Sequence, residues 1–117
     1  MKVASLYVAA KDFERAKKCY SELVFERAPS STTDRFAFYD IDGFQFGIFD
    51  PSITGEQPKF GDNTVPTIEV EVADDIYERL TNAGLDSVLE PQDVNKTRVC
   101  QVRDTEGNVL EFFHWLQ

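Results

Sequence analysis

The sequence predicts an α+β fold of two βαβββ modules, with one helix per module and strands that form a cleft-shaped mixed β-sheet. Strand-like and helix-like segments follow one another in the same order in both halves of the chain. A polar segment rich in Pro and Gly, residues 51–65, separates the halves. The turn sequences DIDG and DTEG start 64 positions apart, at residues 40 and 104. Because half a repeat cannot bury its sheet alone, we expect a single domain over 1–117, with modules at about 1–50 and 66–117.

The first module begins with a strand, because residues 2–8 (KVASLYV) alternate and are rich in β-formers. Asp12 is a suitable N-cap, and apolar residues recur at helical spacing from Phe13 to Val24. We expect short strands at 25–28, 35–41 and 44–49, the last two joined by the DIDG turn as a hairpin.

The second module repeats this order. Residues 67–72 (TIEVEV) predict a strand, and Asp75 with Glu78 resembles a capping box for the following helix. Gly84 is a suitable residue to end that helix. Strands are then expected at 87–90, 97–103 and 108–116, with the DTEG turn between the last two.

Composition narrows the possible partners of this 117-residue chain. No apolar run reaches the roughly 18 residues needed to cross a bilayer. The apolar stretch after Lys2 is too short for a secretory signal, so we expect a cytoplasmic protein. The net charge of −9 disfavours nucleic acid and anionic membranes as partners, because both recruit basic surfaces.

The two cysteines and the single histidine have no predicted chemical role. A cytosolic chain keeps Cys19 and Cys100 reduced, and we expect both to pack as small buried residues. His114 could approach either cysteine, but nothing in the sequence places it there. Alternation puts His114 with Phe112, so we predict a surface or interface residue.

Three segments give the sequence a resemblance to a known superfamily: SLYVAAKDFERAKKCYSEL at 5–23, VEVADDIYERLTNAGL at 70–85 and RDTEGNVLEFF at 103–113. Over its whole length the chain resembles the vicinal oxygen chelate superfamily, which includes glyoxalase, extradiol dioxygenases, fosfomycin-resistance transferases and bleomycin-binding resistance proteins. The resemblance implies two paired modules around a cleft, and a homodimer. In metal-using members it also implies ligands on the first and last strand of each module.

The four metal-ligand positions that the resemblance implies fall on Ser5, Gly47, Thr67 and Glu111. Glycine has no side-chain ligand atom, and neutral hydroxyls replace imidazole or carboxylate poorly on a divalent transition metal. Three of the four positions therefore depart from the metal-binding pattern. We predict no metal, no other cofactor and no catalytic residue, and a chain closest in character to the metal-free bleomycin-resistance-like branch.

Glu111 has three possible interpretations: a metal ligand, a polar contact for a bound molecule, or a carboxylate held by Ser5, Thr67 or water. Glu69 and Glu71 share the face of Thr67 on their predicted strand. A close pair of Glu69 and Glu111 would permit acid–base chemistry. Alternatively, Glu69 and Glu71 are the solvent-exposed face of a half-buried strand.

Aromatic residues share the faces of these positions and predict an apolar site. Alternation pairs Tyr7 with Ser5, Phe49 with Gly47, and Phe113 and Trp115 with Glu111. Either they line a ligand cleft, or they pack on one another or on a second subunit. The predicted ligand contacts are Ser5, Tyr7, Gly47, Phe49, Thr67, Glu69, Glu111, Phe113 and Trp115.

We therefore expect a metal-free binding protein for a small organic ligand, which could be cationic given the acidic chain. The alternative is a divalent-metal-dependent glyoxalase-like lyase, isomerase or thiol transferase, which the fold resemblance and Glu111 alone would support. A purely structural role as a dimer is a third option.

Overall fold

The computed structural model describes Met1 and residues 4–53, 59–61 and 64–117. These residues divide into two compact units, Met1–Phe60 and Gly61–Gln117. In the described part of the chain, each unit runs strand, helix, three strands and contains one four-stranded mixed sheet. The predicted α+β class and βαβββ order are confirmed. Parts of the predicted first strand (2–3) and linker (54–58 and 62–63) lie outside the described residues.

The sheet of the first unit contains β1 (Ser5–Ala9), β2 (Ser31–Thr32), β3 (Phe36–Ile41) and β4 (Phe44–Phe49). The order across the sheet is β1-β4-β3-β2, with β1 parallel to β4 and the other neighbours antiparallel. The predicted hairpin joins β3 and β4, where Asp42 and Gly43 have φ values of 50° and 85°. Positive φ at both central residues is typical of a type I′ turn, which favours Asp-Gly.

Helix α1 (Phe13–Cys19) begins at Asp12 as predicted, because the Asp12 carboxylate accepts a hydrogen bond from the backbone N–H of Arg15 at 3.0 Å. The helix continues into a π-helical turn, Tyr20–Val24. A short 3₁₀ turn, Pro51–Ile53, follows the last strand of this unit.

An aromatic cluster forms the core of the first unit. The buried ring of Tyr20 lies 5.8 Å from Phe25, 6.4 Å from Tyr39 and 5.3 Å from Phe46 between ring centroids. The hydroxyl of Tyr39 is also bound to the hydroxyl of Ser21, at 2.7 Å. The cluster thereby fixes the helical segment against β3 and β4.

The strand predicted at 25–28 is wrong. Phe25 ends the helical segment instead, donating its backbone N–H to the carbonyl of Tyr20 at 2.9 Å while its ring joins the aromatic cluster. Glu26 follows with a φ of 52°, a left-handed conformation that a regular strand does not contain. The edge strand is β2, which pairs with Ala37 and Phe38.

The sheet of the second unit contains β5 (Thr67–Glu69), β6 (Ser87–Val94), β7 (Thr97–Arg103) and β8 (Val109–Trp115). Its order is β5-β8-β7-β6, with β5 parallel to β8 and the other neighbours antiparallel. The predicted strand at 97–103 matches β7. The prediction for 67–72 was too long and that for 87–90 too short, because the chain leaves the sheet after Val70 whereas β6 pairs with β7 as far as Val94.

Helix α2 (Ala73–Asn82) packs on β7 and β8 and ends as predicted, at Gly84 with a φ of 98°. Its start differs from the prediction. Val72 is the N-cap and provides no side-chain hydrogen bond, so the capping box of Asp75 and Glu78 is wrong. Within the described residues, no helix is long and apolar enough to span a membrane.

The side chain of His114 on β8 binds the start of α2 instead. Its Nδ1 accepts a hydrogen bond from the backbone N–H of Ala73 at 2.8 Å. His114 is partly exposed, so its predicted role as a surface or interface residue stays a prediction. The sequence did not predict the bond with Ala73, because a partner 41 positions away cannot be found from local spacing.

Candidate functional site

Four of the predicted ligand contacts line one cavity of the second unit. Alternation along β8 places Glu111, Phe113 and Trp115 on one face, and the parallel pairing of β5 brings Thr67 beside Glu111. The cavity has a volume of about 330 Å³, within the range of small-molecule sites. Its lining consists of Thr67, Val94, Thr97, Val99, Glu111, Phe113 and Trp115.

The carboxylate of Glu111 is held by the strands on both sides. Thr67 on β5 donates its hydroxyl to Oε2, and Gln101 on β7 donates its side-chain amide to Oε1 at 3.1 Å. Both donors are the partners of Glu111 in the strand register. Each carboxylate oxygen has more than one acceptor position, so a ligand donor can still bind. This hydrogen bond with Thr67 was among the possible interpretations of Glu111 that the sequence suggested.

The other polar groups that line the cavity are neutral, so the main hydrogen-bond acceptor for a ligand is the carboxylate of Glu111. Thr97 donates its hydroxyl to the backbone carbonyl of Val94 at 2.8 Å. The indole N–H of Trp115 is a neutral donor. The rings of Phe113 and Trp115 meet edge to face, with centroids 5.6 Å apart, and Trp115 is 59% exposed. A ligand would therefore meet a fixed carboxylate, apolar walls and an accessible aromatic ring.

Glu69 lies farther along β5 than the cavity residue Thr67. In the register Thr67 is opposite Glu111, whereas Glu69 is opposite Phe113 and exposed. Glu71 lies beyond the end of β5 and is also exposed. The hydrogen bonds to Glu111 come from Thr67 and Gln101, which are neutral donors. The exposure of Glu69 and Glu71 favours the interpretation that both are solvent-exposed residues.

The first unit carries the other four predicted contacts, on β1 and β4. Ser5 pairs with Gln45, and Tyr7 pairs with Gly47. The rings of Tyr7 and Phe49 meet edge to face at 5.2 Å. Phe49 is 3% exposed and packs inside the protein, whereas Tyr7 is 50% exposed and accessible to a ligand. The grouping of these four residues with those of the second unit around one cleft stays a prediction.

A second cavity, of about 340 Å³, lies in the first unit and was not predicted. Phe36 and Phe38 stack beside it with ring centroids 5.9 Å apart. Their spacing on β3 could have indicated a shared face, but β3 is neither the first nor the last strand of its module, where the resemblance implies site residues. The lining consists of Ser31, Thr32, Thr33, Phe36 and Phe38.

Four residues near Glu111 were also missed from the sequence: Gln101, Val94, Thr97 and Val99. The DTEG turn offered a signal, because a hairpin closed by a known turn fixes the strand register. Counting back from that turn sets Gln101 opposite Glu111, and then Val99 and Thr97 on the same face. Val94 could not be placed this way, since β6 contains register shifts.

Solved structures resemble this chain over nearly its whole length, whereas no protein-family model and no curated protein matches it. A glyoxalase/bleomycin resistance protein from Albidiferax ferrireducens T118 has a TM-score of 0.80 at 23% identity, covering 96% of this chain and 97% of its own. A glyoxalase-related enzyme from Fulvimarina pelagi has a TM-score of 0.82 at 20% identity, covering 97% and 88%. The chain adopts the vicinal oxygen chelate fold.

TioX from Micromonospora sp. ML1 shares this fold at a higher identity of 28%, with a TM-score of 0.70 and coverage of 98% of this chain and 100% of its own. The predicted superfamily resemblance is therefore confirmed at the level of the vicinal oxygen chelate fold. Because one fold supports many activities, the site residues must decide the function.

The residues at the metal positions expected for the vicinal oxygen chelate fold do not fit a divalent metal. Gly47 provides no ligand atom, and a Cβ at this position would meet Cε1 of Phe38 at 2.6 Å. Ser5 and Thr67 offer only neutral hydroxyls, and Glu111 is bound by Thr67 and Gln101. In the described ranges, no group of three or more His, Cys, Asp or Glu side chains is placed to hold a metal ion.

Proposed function

We propose that this protein binds a small organic molecule without a metal, in the manner expected of bleomycin-resistance-type drug or metabolite binders. One observation carries the proposal: Glu111, fixed by Thr67 and Gln101, faces a cavity of about 330 Å³ beside two aromatic rings. A few fixed polar groups in a mainly apolar cavity are typical of small-molecule sites.

The chemistry of the cavity favours a ligand with a ring and a protonated amine. The carboxylate of Glu111 can accept a charge-assisted hydrogen bond from an ammonium group. The ring of Trp115 can attract the same cation through its π face. The net charge of −9 raises the local concentration of cations and disfavours anionic ligands.

The remaining predicted contacts would extend this site. We propose that Ser5, Tyr7, Gly47, Phe49 and Glu69 contribute to the same ligand site, with Tyr7 as an exposed aromatic contact. We also propose a homodimer, because the exposed large apolar residues include Tyr7, Phe44 and Trp115. The cytoplasmic location stays a prediction.

Titration with tryptamine, indole-3-acetate and indole tests the ligand class, because the three probes share a ring and differ in charge. We expect tryptamine to bind most tightly in calorimetry or NMR titration. Glu111→Gln should weaken tryptamine by about tenfold, since a hydrogen bond to a charged group contributes roughly 1.5–3 kcal/mol. Indole should bind the variant and the native protein equally.

Glu90→Gln is the matched control, because it removes the same charge from an exposed residue of β6 outside the cavity lining. It should leave tryptamine affinity unchanged. Equal binding of indole-3-acetate and tryptamine, or no binding of any probe, would contradict the proposed ligand class. Binding that disappears only after chelator treatment, with stoichiometric metal in the purified protein, would instead support the metal-dependent glyoxalase-like enzyme.

A further inference from the structure

The first residue of α2 is anchored to the sheet of the second unit through both of its backbone polar groups. The N–H of Ala73 donates to Nδ1 of His114 at 2.8 Å, and the carbonyl of Ala73 accepts from the thiol of Cys100 at 3.6 Å. Val72 provides no side-chain cap. His114 therefore satisfies one of the first N–H groups of α2, which have no partner within the helix itself.

This contact requires a neutral imidazole. Nδ1 accepts a hydrogen bond only while it carries a free lone pair, which places the ring proton on Nε2. Protonation turns Nδ1 into a donor, so that two N–H groups face each other. The imidazolium would also meet the positive end of the α2 dipole.

Several charged groups lie on the elements that pack beside His114. Arg98 of β7 is its partner in the strand register, and Asp74 lies in the first turn of α2. The guanidinium of Arg98 binds both oxygens of Asp74, at 2.7 and 3.1 Å, and Asp93 of β6 at 3.0 Å. Arg98 thus lies in a cluster with two carboxylates, and these hydrogen bonds engage all three groups.

The other titratable groups nearby are uncharged or exposed. Burial raises the pKa of the Cys100 thiol to about 11, so this group stays neutral at physiological pH. Glu71, before α2, and Asp75, in its first turn, are exposed to solvent. Glu111 lies on the opposite face of β8, with Phe113.

We propose that the contact between His114 and Ala73 is a pH-sensitive latch, which holds the first turn of α2 to β8 at neutral pH and releases it when His114 is protonated. Histidine is the side chain that changes charge between about pH 5 and 8. The hydrogen bond from Ala73 needs a free lone pair on Nδ1, so a proton on this nitrogen removes the contact. This inference goes beyond the proposed binding function and needs no ligand.

The chain has a single histidine, so a ring titration can be assigned without ambiguity. Long-range ¹H–¹⁵N NMR at pH 8 should show the tautomer with the proton on Nε2. Hydrogen exchange, corrected for the intrinsic pH dependence, should show protection of the Ala73 amide falling about tenfold as His114 is protonated. The amide of Arg15, bound by Asp12 in α1, is the internal reference and should not follow this titration.

His114→Asn is the matched variant, because an amide oxygen can accept the same hydrogen bond without titrating. We expect its Ala73 protection to be independent of pH in the same range, and His114→Phe to lack this protection at every pH. An Nδ1-protonated tautomer in the native protein would overturn the proposal. Ala73 protection that is unchanged by ring protonation would also overturn it, and both measurements stand even if a variant fails to fold.

Discussion

The ring of Phe38 lies directly over Gly47, so that a Cβ at position 47 would meet Cε1 of the ring at 2.6 Å and Cβ of Tyr7 at 3.1 Å. The three residues occupy one row across β3, β4 and β1. The glycine at an expected metal position is therefore needed for close packing within this sheet.

Gly47→Ala should destabilise the protein by roughly 1–3 kcal/mol, the usual cost of inserting a methyl group into a packed site. Chemical denaturation measures this change. If the added methyl group met no neighbour, alanine would stabilise the strand by about 0.5–1 kcal/mol relative to glycine. The sign of the measured change therefore shows whether Phe38 packs against position 47. Combining Gly47→Ala with Phe38→Leu should recover part of the loss, and strictly additive effects would contradict the contact.

The ion pair of Asp74 and Arg98 should make the stability of the protein depend on pH in the acidic range. Hydrogen bonds from Arg98 hold the pKa of Asp74 below its ordinary value. Such a carboxylate stabilises the fold above its unfolded-state pKa, and the contribution disappears as pH falls through the folded-state pKa. Asp74→Asn should therefore lower the unfolding midpoint slightly at neutral pH and leave it unchanged in strong acid.

The effect of Asp74→Asn should be small, because both side chains are partly exposed. Asp75→Asn is the control, since Asp75 is an exposed neighbour on the same helix turn. Denaturation at a series of pH values gives the comparison. A difference between Asp74→Asn and the native protein that stays constant down to strong acid would refute the ion-pair contribution.

Both cysteines should resist alkylation in the folded protein. Cys19 and Cys100 are buried, and burial raises the pKa of Cys100 to about 11, which leaves little reactive thiolate. Mass spectrometry after iodoacetamide treatment at pH 8 should show slow modification, and rapid modification of both residues in guanidinium. Fast stoichiometric labelling of the native protein would show that one thiol is accessible.

The proposed homodimer is tested by sedimentation equilibrium at micromolar concentration. Exposed aromatic side chains such as Tyr7 and Trp115 provide apolar area that a partner subunit could bury. We expect a mass near twice 13.3 kDa. A single species with the monomer mass across this range would count against the dimer and leave the exposed aromatics for ligand contact.

Local sequence was sufficient for most elements of the fold. The Asp-Gly turn, the cap at Asp12, the strand at 97–103 and the alternation of β8 each depend on neighbours in the chain, and each was predicted. The face shared by Glu111, Phe113 and Trp115 follows from alternation alone, so this part of the candidate site needed no tertiary information. The repeat of the two modules then indicated the fold.

Tertiary structure decided the features that depend on partners distant in sequence. Phe25 was predicted to lie in a strand, but its ring packs beside Tyr20, and this aromatic packing outweighs the strand propensity. The first N–H of α2 is bound by the imidazole of His114 and not by the side chain of a local capping box. Likewise the sequence placed Glu111 on the site face, but only the register of β5 and β7 brought Thr67 and Gln101 to its two oxygens. Propensity and alternation depend on adjacent residues, whereas a hydrogen bond across strands depends on a register that only the folded sheet fixes.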